Sequence, residues 1–296
     1  MQSRKKKELR QNLTAFGFLA PSFLGLVLFS AIPLVFSLFV SLTDWNYIQG
    51  IGNWNFIGLR NFIDLWSDEW FLASLRNTII YTVVTVPIGL FLALVLAYLI
   101  DRFCTEKLGG ILRISMYMPQ ICNIVASAAI WVMLYSSYGP FTQLMKALGW
   151  DDPPKFLADY QWALPAVMLM SIWQSLGYRI FIYSASLTGL PKDVFEAAEL
   201  DGVNGRQRFF YITMPLLKPT TFFLTITGII SSFKVFGSIN VMTQGGPGSS
   251  TYTLVYYIYK SAFTYYEMGY ASAIAVILFL ILLGITLVQW KHNNSN

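Results

Sequence analysis

The chain has 296 residues, of which 55% are hydrophobic and 12% charged, with a mean hydropathy of +0.54 and a net charge of +5. A soluble domain carries roughly a quarter charged residues, so this composition excludes an ordinary soluble enzyme and points to a membrane protein. The positive balance lies in the N-terminal tail and short loops, a topology signal rather than a nucleic-acid footprint. Cys104 and Cys122 sit in or beside apolar segments and make neither a disulfide framework nor a zinc site.

A basic tail over residues 1–15, with Arg4, Lys5, Lys6, Lys7 and Arg10, precedes the apolar stretch Phe16–Leu42. That stretch is too long for a signal-peptide core and lacks a small-residue cleavage site, so it reads as an uncleaved first span. The first outer loop follows, with Trp45, Trp54, Trp66 and Trp70. It reads as an interfacial aromatic belt, as a docking surface, or as both. Further spans are expected at Thr78–Ile100, Ile114–Tyr135, Trp162–Ser184, Thr220–Val241 and Gly269–Trp290, each near the roughly 20 residues that cross a bilayer. The expected fold is an all-α membrane protein of six transmembrane helices. One domain covers 16–290, and a tail covers 291–296.

Orientation follows from lysine and arginine. With the N-terminus inside, the inner segments carry the basic tail, then Arg102, Lys107 and Arg113, then Lys192, Arg206, Arg208 and Lys218, and last Lys291. The outer segments carry only Arg60, Arg76, Lys146, Lys155 and Lys260. Positive-inside topology therefore places both termini and the loop at about 188–219 in the cytoplasm.

No enzyme site assembles. There is no Walker A pattern and no metal-ligand spacing. The single histidine, His292, lies in the C-terminal tail. None of the six spans holds Asp or Glu at its middle, which disfavours a self-powered proton carrier. A secondary transporter or channel subunit working without ATP remains the alternative.

Polar residues inside the spans fall in stripes. Ser171, Gln174, Ser175 and Tyr178 recur at i, i+3, i+4 and i+7 in the fourth span; Gly228, Ser231, Ser232 and Val235 repeat that spacing in the fifth. The third adds Asn123 and Ser127. Such stripes read either as helix-packing surfaces or as the wall of a polar, sugar-sized cavity. Lys234, beyond the middle of the fifth span, reads as a tether, a snorkelling cation, or an anion-attracting group in the pathway. Arg179 reads as an anchor nearer the cytoplasm.

Residues Glu196–Pro215, EAAELDGVNGRQRFFYITMP, form a polar island between apolar segments. They read as two short helices broken at Asp201-Gly202, the first opening at Pro191 and the second capped by Asn204 and stopping at Pro215. Glu196-Ala197-Ala198, then three residues, Gly202, nine residues, Ile212, one residue and Met214-Pro215 resembles the cytoplasmic "EAA" loop of ABC importer permeases. The family pattern has Leu where Met214 stands. Phe56-Ile-Gly-Leu-Arg-Asn-Phe62, Arg76-Asn-Thr78, Thr243-Gln-Gly-Gly-Pro247 and Met268-Gly-Tyr-Ala-Ser-Ala273 resemble landmarks of the maltose and glycerol-3-phosphate group. The resemblance thus spans about residues 16–290.

That resemblance implies a type I ABC importer-like fold in a bacterial-type inner (plasma) membrane. It implies a pore built with a second permease subunit, two ATPase subunits beneath it, and an extracytoplasmic sugar-binding protein. ATP and Mg would belong to the ATPase subunits, and this chain would bind no cofactor. Glu196 would make a charged contact to the ATPase, Ala197 and Ala198 would allow close packing, and Gly202 would supply a turn that a side chain would obstruct. The family's sugar contacts fall near Ser171, Gln174, Ser175, Tyr178, Gly228, Ser231 and Ser232, which favours the cavity reading of the stripes. Tyr178 would be the stacking face. With Asn123, Ser127 and Lys234 these residues complete the candidate pathway.

Overall fold

The computed structural model describes Thr14, residues 16–50 and residues 52–293. Arg4, Lys5, Lys6, Lys7 and Arg10 of the expected basic tail lie outside the described residues, as do residues 294–296. The described chain is helical, with only isolated bridges at Thr43–Phe56 and Asn46–Glu267. It divides into two compact units.

The first unit runs to Ser67 and includes Ile258–Ile277. Its first helix, α1 (Phe16–Val40), widens into a π-helical turn at Val27–Ala31. That turn contains Phe29, the residue whose carbonyl the Pro33 ring would otherwise crowd. Beyond α1 the hydroxyls of Ser41 and Thr43 donate to the carbonyls of Leu38 (2.7 Å) and Val40 (2.8 Å). The chain turns into a loop leading to α2 (Arg60–Leu65). Asn61, buried on α2, donates from Nδ2 to the carbonyls of Ser41 and Thr43, both at 2.9 Å. Gly269 approaches the Thr43 carbonyl at the very place a Cβ would occupy, and its N–H donates to Trp45 at 3.0 Å. The landmarks Phe56–Phe62 and Met268–Ala273 are therefore two sides of one backbone contact.

The second unit comprises Asp68–Tyr257 and the described residues from Leu278 onward. Its longest helix, α3 (Glu69–Phe103), is capped by the Asp68 carboxylate on the Trp70 N–H (2.8 Å). Glu69 in its first turn and Arg102 in its last complement the helix dipole. At about 1.5 Å per residue it spans roughly 52 Å, well beyond the roughly 30 Å hydrocarbon core. The chain continues with α4 (Glu106–Ile121), α5 (Ile124–Leu134), α6 (Pro140–Ala147) and α7 (Ala163–Thr188). The core is α3 on α7: Leu90, Ala93, Leu94 and Ala97 meet Ile180, Tyr183 and Leu187. The fully buried alanines let the backbones close in. Gly177 lies against the Met116 carbonyl of α4, leaving no room for a Cβ.

The amphipathic segment follows as α8 (Lys192–Leu200) and α9 (Gly205–Leu216), then α10 (Lys218–Phe233) and α11 (Gly237–Met242). Last come α12 (Leu254–Phe263) and α13 (Met268–Asn293), which each run through both units. Asn77 on α3 donates to the carbonyls of Ser249 (2.8 Å) and Tyr252 (3.0 Å), and the Thr78 hydroxyl accepts from the Leu254 N–H (2.9 Å). The Arg76-Asn-Thr78 landmark thus anchors the loop that the Thr243–Pro247 turn begins.

Two expected spans are not straight helices. The third breaks at Cys122-Asn123, both extended, so that α4 and α5 meet at 98°. The fifth ends at Phe233 rather than Val241, because Phe236 leaves helical geometry (φ −142°, ψ −55°) before α11 restarts. It is preceded by a 66° bend between α9 and α10. Among the described residues, three helices can cross a membrane by length and hydropathy: Phe16–Val40, Glu69–Phe103 and Met268–Lys291. Counting each bent pair as one span raises this to five, against the six expected. The 26-residue α7 is long enough but falls outside that set. Ser171, Gln174, Ser175 and Arg179 all lie on it and lower its hydropathy.

Candidate functional site

Four helices and the α4–α5 break line an open cavity of about 430 Å³ in the second unit. α7 contributes Ser171, Gln174 and Ser175, one polar face at i, i+3 and i+4. α10 contributes Ser231, and α11 contributes Gly237 and Ser238. Gln120 and Cys122 come from the break, and Phe236 from the link ahead of α11. Tyr81 of α3 is buried and lines the cavity together with Ser171 and Ser238. The Ser171 and Ser175 hydroxyls donate to the carbonyls of Val167 and Ser171, each at 2.9 Å. Their lone pairs stay free to accept from a guest. Serine hydroxyls, two amides and two aromatic rings suit a polyhydroxylated guest.

The sequence-derived pathway set is only partly gathered here. Asn123 is exposed and caps α5, accepting from the Val125 N–H at 2.8 Å. Ser127 is buried on α5, off the cavity wall. Tyr178 is half-buried, packs against the α3–α7 core and does not line this cavity. Gly228 faces Val86 and Arg179. Ser232 turns its hydroxyl back to the Gly228 carbonyl at 2.6 Å. Lys234 caps the end of α10 and is exposed, so it carries no buried charge. Sequence reasoning missed Tyr81, Gln120, Phe236 and Ser238. Tyr81 sits in an apolar run without polar periodicity, and the others depend on helix breaks hidden inside apolar stretches.

Arg179 is buried and donates from Nη1 to the Thr85 carbonyl at 3.2 Å. Its guanidinium fills the space that a Cβ on Gly89 would take and reaches the edge of Gly228. Among the described residues no carboxylate lies within ion-pair distance of it.

The loop at 188–219 forms a second feature. Pro191 is the N-cap of α8, one position before its expected place. Ala198 is buried, whereas Glu196 and Ala197 are exposed. Gly202 takes φ +71° with open space where a Cβ would point. Within this chain, backbone handedness favours the glycine. Asn204 and Gln207 form a reciprocal capping box at 2.9 and 3.0 Å. Arg208 binds Glu199 at 2.7 Å and stacks over Phe195 at 4.6 Å, clamping α9 to α8. The Tyr98 hydroxyl of α3 accepts from Arg102 (2.8 Å) and donates to the Gly205 carbonyl (3.3 Å), tying the loop to the longest helix. A cleft of about 390 Å³ beside these groups is lined by Glu196, Glu199, Arg102 and Arg208.

Residues 67–292 match the family described as "Binding-protein-dependent transport system inner membrane component". The chain belongs to this family. It is an ABC transporter permease, a multi-pass inner-membrane protein and not a catalytic enzyme. The permease is 35% identical over 241 residues to the sn-glycerol-3-phosphate transport system permease protein UgpA of Agrobacterium fabrum, covering 80% of each chain. It is 30% identical over 292 residues to the lactose transport system permease protein LacF of Rhizobium radiobacter, covering 97% of this chain and 96% of that one. The permease's fold matches a chain of a bacterial ABC transporter involved in importing the acidic polysaccharide alginate. The TM-score is 0.85 at 21% identity, over 99% of each chain.

Proposed function

We propose that this permease lines the membrane pathway for a sugar, oligosaccharide or polyol phosphate, and that the loop at 188–219 couples it to an ATPase. The observation that carries this reading is the cavity in which Ser171, Gln174, Ser175 and Ser231 converge with Tyr81 and Phe236. Hydroxyl and amide groups beside aromatic faces are what a carbohydrate needs. The names of UgpA and LacF agree with a cargo of that class.

In this reading residues 16–290 work as one permease domain of six spans, α7 serving as a span despite its polar face. Both termini and the loop are cytoplasmic. A second permease subunit completes the pore, two ATPase subunits supply ATP and Mg, and an extracytoplasmic binding protein delivers cargo. Exposed Glu196 and Ala197 form the docking face on the ATPase, with buried Ala198 packed beneath them and Gly202 shaping the turn beside them. Exposed Glu196 beside the polar cleft supports that assignment.

The test is uptake by the assembled transporter carrying Gln174→Ala with Ser231→Ala. Each lost hydrogen bond is worth about 0.5–1.5 kcal/mol, so the pair should lower carbohydrate uptake roughly tenfold. Copurification of the ATPase should be unchanged. Undiminished uptake would contradict the assignment of the cavity.

A further inference from the structure

Arg179 stands in a fixed relation to the cavity wall on three helices at once. On α7 it follows Ser175 by four residues. On α3 its acceptor Thr85 follows Tyr81 by four, and on α10 its neighbour Gly228 precedes Ser231 by three. Each step is about one helical turn, roughly 5.4 Å, and each runs toward the end of its helix nearer the 188–219 loop. The guanidinium therefore lies at the meeting of α3, α7 and α10, one turn below the cavity wall.

Its charge is uncompensated. Thr85 supplies a single carbonyl, and no described carboxylate is close enough to pair with it. No Asp or Glu lines the cavity. A buried cation beside a cavity of neutral dipoles gives that cavity a positive potential, and the low-dielectric surroundings screen it weakly. Gly89 leaves the notch in which the guanidinium sits, so α3 keeps room for this charge, while Gly228 of α10 stands at its edge.

We propose that Arg179 makes the cavity selective for anionic cargo, a carbohydrate or polyol bearing a carboxylate or phosphate. This rests on the cavity being the cargo site. Neutral sugars meet the same hydroxyls and amides, but only an anion gains from the field of Arg179.

The test is equilibrium binding to the purified, assembled transporter, measured without binding protein. Probes are trigalacturonate, its methyl ester (the same shape without charge) and sn-glycerol 3-phosphate. Trigalacturonate or glycerol phosphate should bind at least tenfold tighter than the ester, with a preference that shrinks as salt is raised. Whichever anion binds tighter assigns carboxylate or phosphate as the recognised group. Arg179→Gln should reduce the anion-to-ester ratio at least tenfold, and Arg179→Lys should retain most of it. The parent ratio and its salt dependence require no variant, so a misfolded Arg179→Gln does not remove the test. Equal binding of ester and anions by the parent overturns the proposal while leaving the carbohydrate reading intact. An unchanged ratio in Arg179→Gln also overturns it. Failure to bind any probe defeats both readings.

Discussion

Gly202 shows how much a single position can say. The EAA spacing marks it, and its φ of +71° explains it. Since no atom of this chain lies near its absent Cβ, the constraint within the chain is handedness. Asn tolerates the left-handed region and a β-branched residue does not. Gly202→Asn should keep ATPase copurification near the parent level, and Gly202→Val should lose most of it, with the helical content of both unchanged. Equal loss in both would point to a steric role. The Asn204 cap is legible for the same reason, since its signal is local. Tyr81 and Phe236 are not legible, because only long-range packing brings them to the cavity.

Asp44 offers a residue-scale test in the first unit. Its carboxylate accepts from the Asn55 N–H (2.6 Å) and side-chain amide (3.0 Å). The backbone bond, and next the side-chain bond, hold its pKa below the ordinary carboxylate value. The folded loop thus favours the charged form. Its contribution is present above about pH 4 and is lost as pH falls through the depressed value. Intrinsic-rate-corrected amide protection at Asn55 should fall on acidification, and Asp44→Asn should remove that pH dependence. Protection that ignores pH in the parent would contradict the assignment.

At the scale of elements, straight apolar runs are easy to read and breaks within them are not. α1, α3, α7 and α13 fall near their expected places because their hydrophobic length is their signal. The break at Cys122-Asn123 carries only Pro119 as a warning, and the end of α10 at Phe233 carries none. Yet those two breaks create the cavity's far wall. The clamp of Tyr98 on Arg102 and the Gly205 carbonyl joins α3 to the loop. Tyr98→Phe removes that hydroxyl without changing shape. It should leave ATPase copurification intact and lower cargo moved per ATP hydrolysed by about threefold to tenfold, the worth of one or two hydrogen bonds. An unchanged transport-to-ATP ratio would show that the loop transmits motion by another contact.

At the scale of the whole molecule, composition and the lysine–arginine pattern lead to a multi-pass membrane protein, and the family match makes it a permease. The chain lacks an ATP-binding motif and a carboxylate in the middle of its expected spans, so the account gives its energy to a partner docked on the 188–219 loop. The most direct measurement is cargo uptake into sealed vesicles holding the complete transporter and its binding protein. ATP would be supplied or withheld on the loop side, with ion gradients collapsed or imposed. The account predicts uptake that requires ATP on that side and persists without ion gradients. Uptake driven by an ion gradient in the absence of ATP would contradict it.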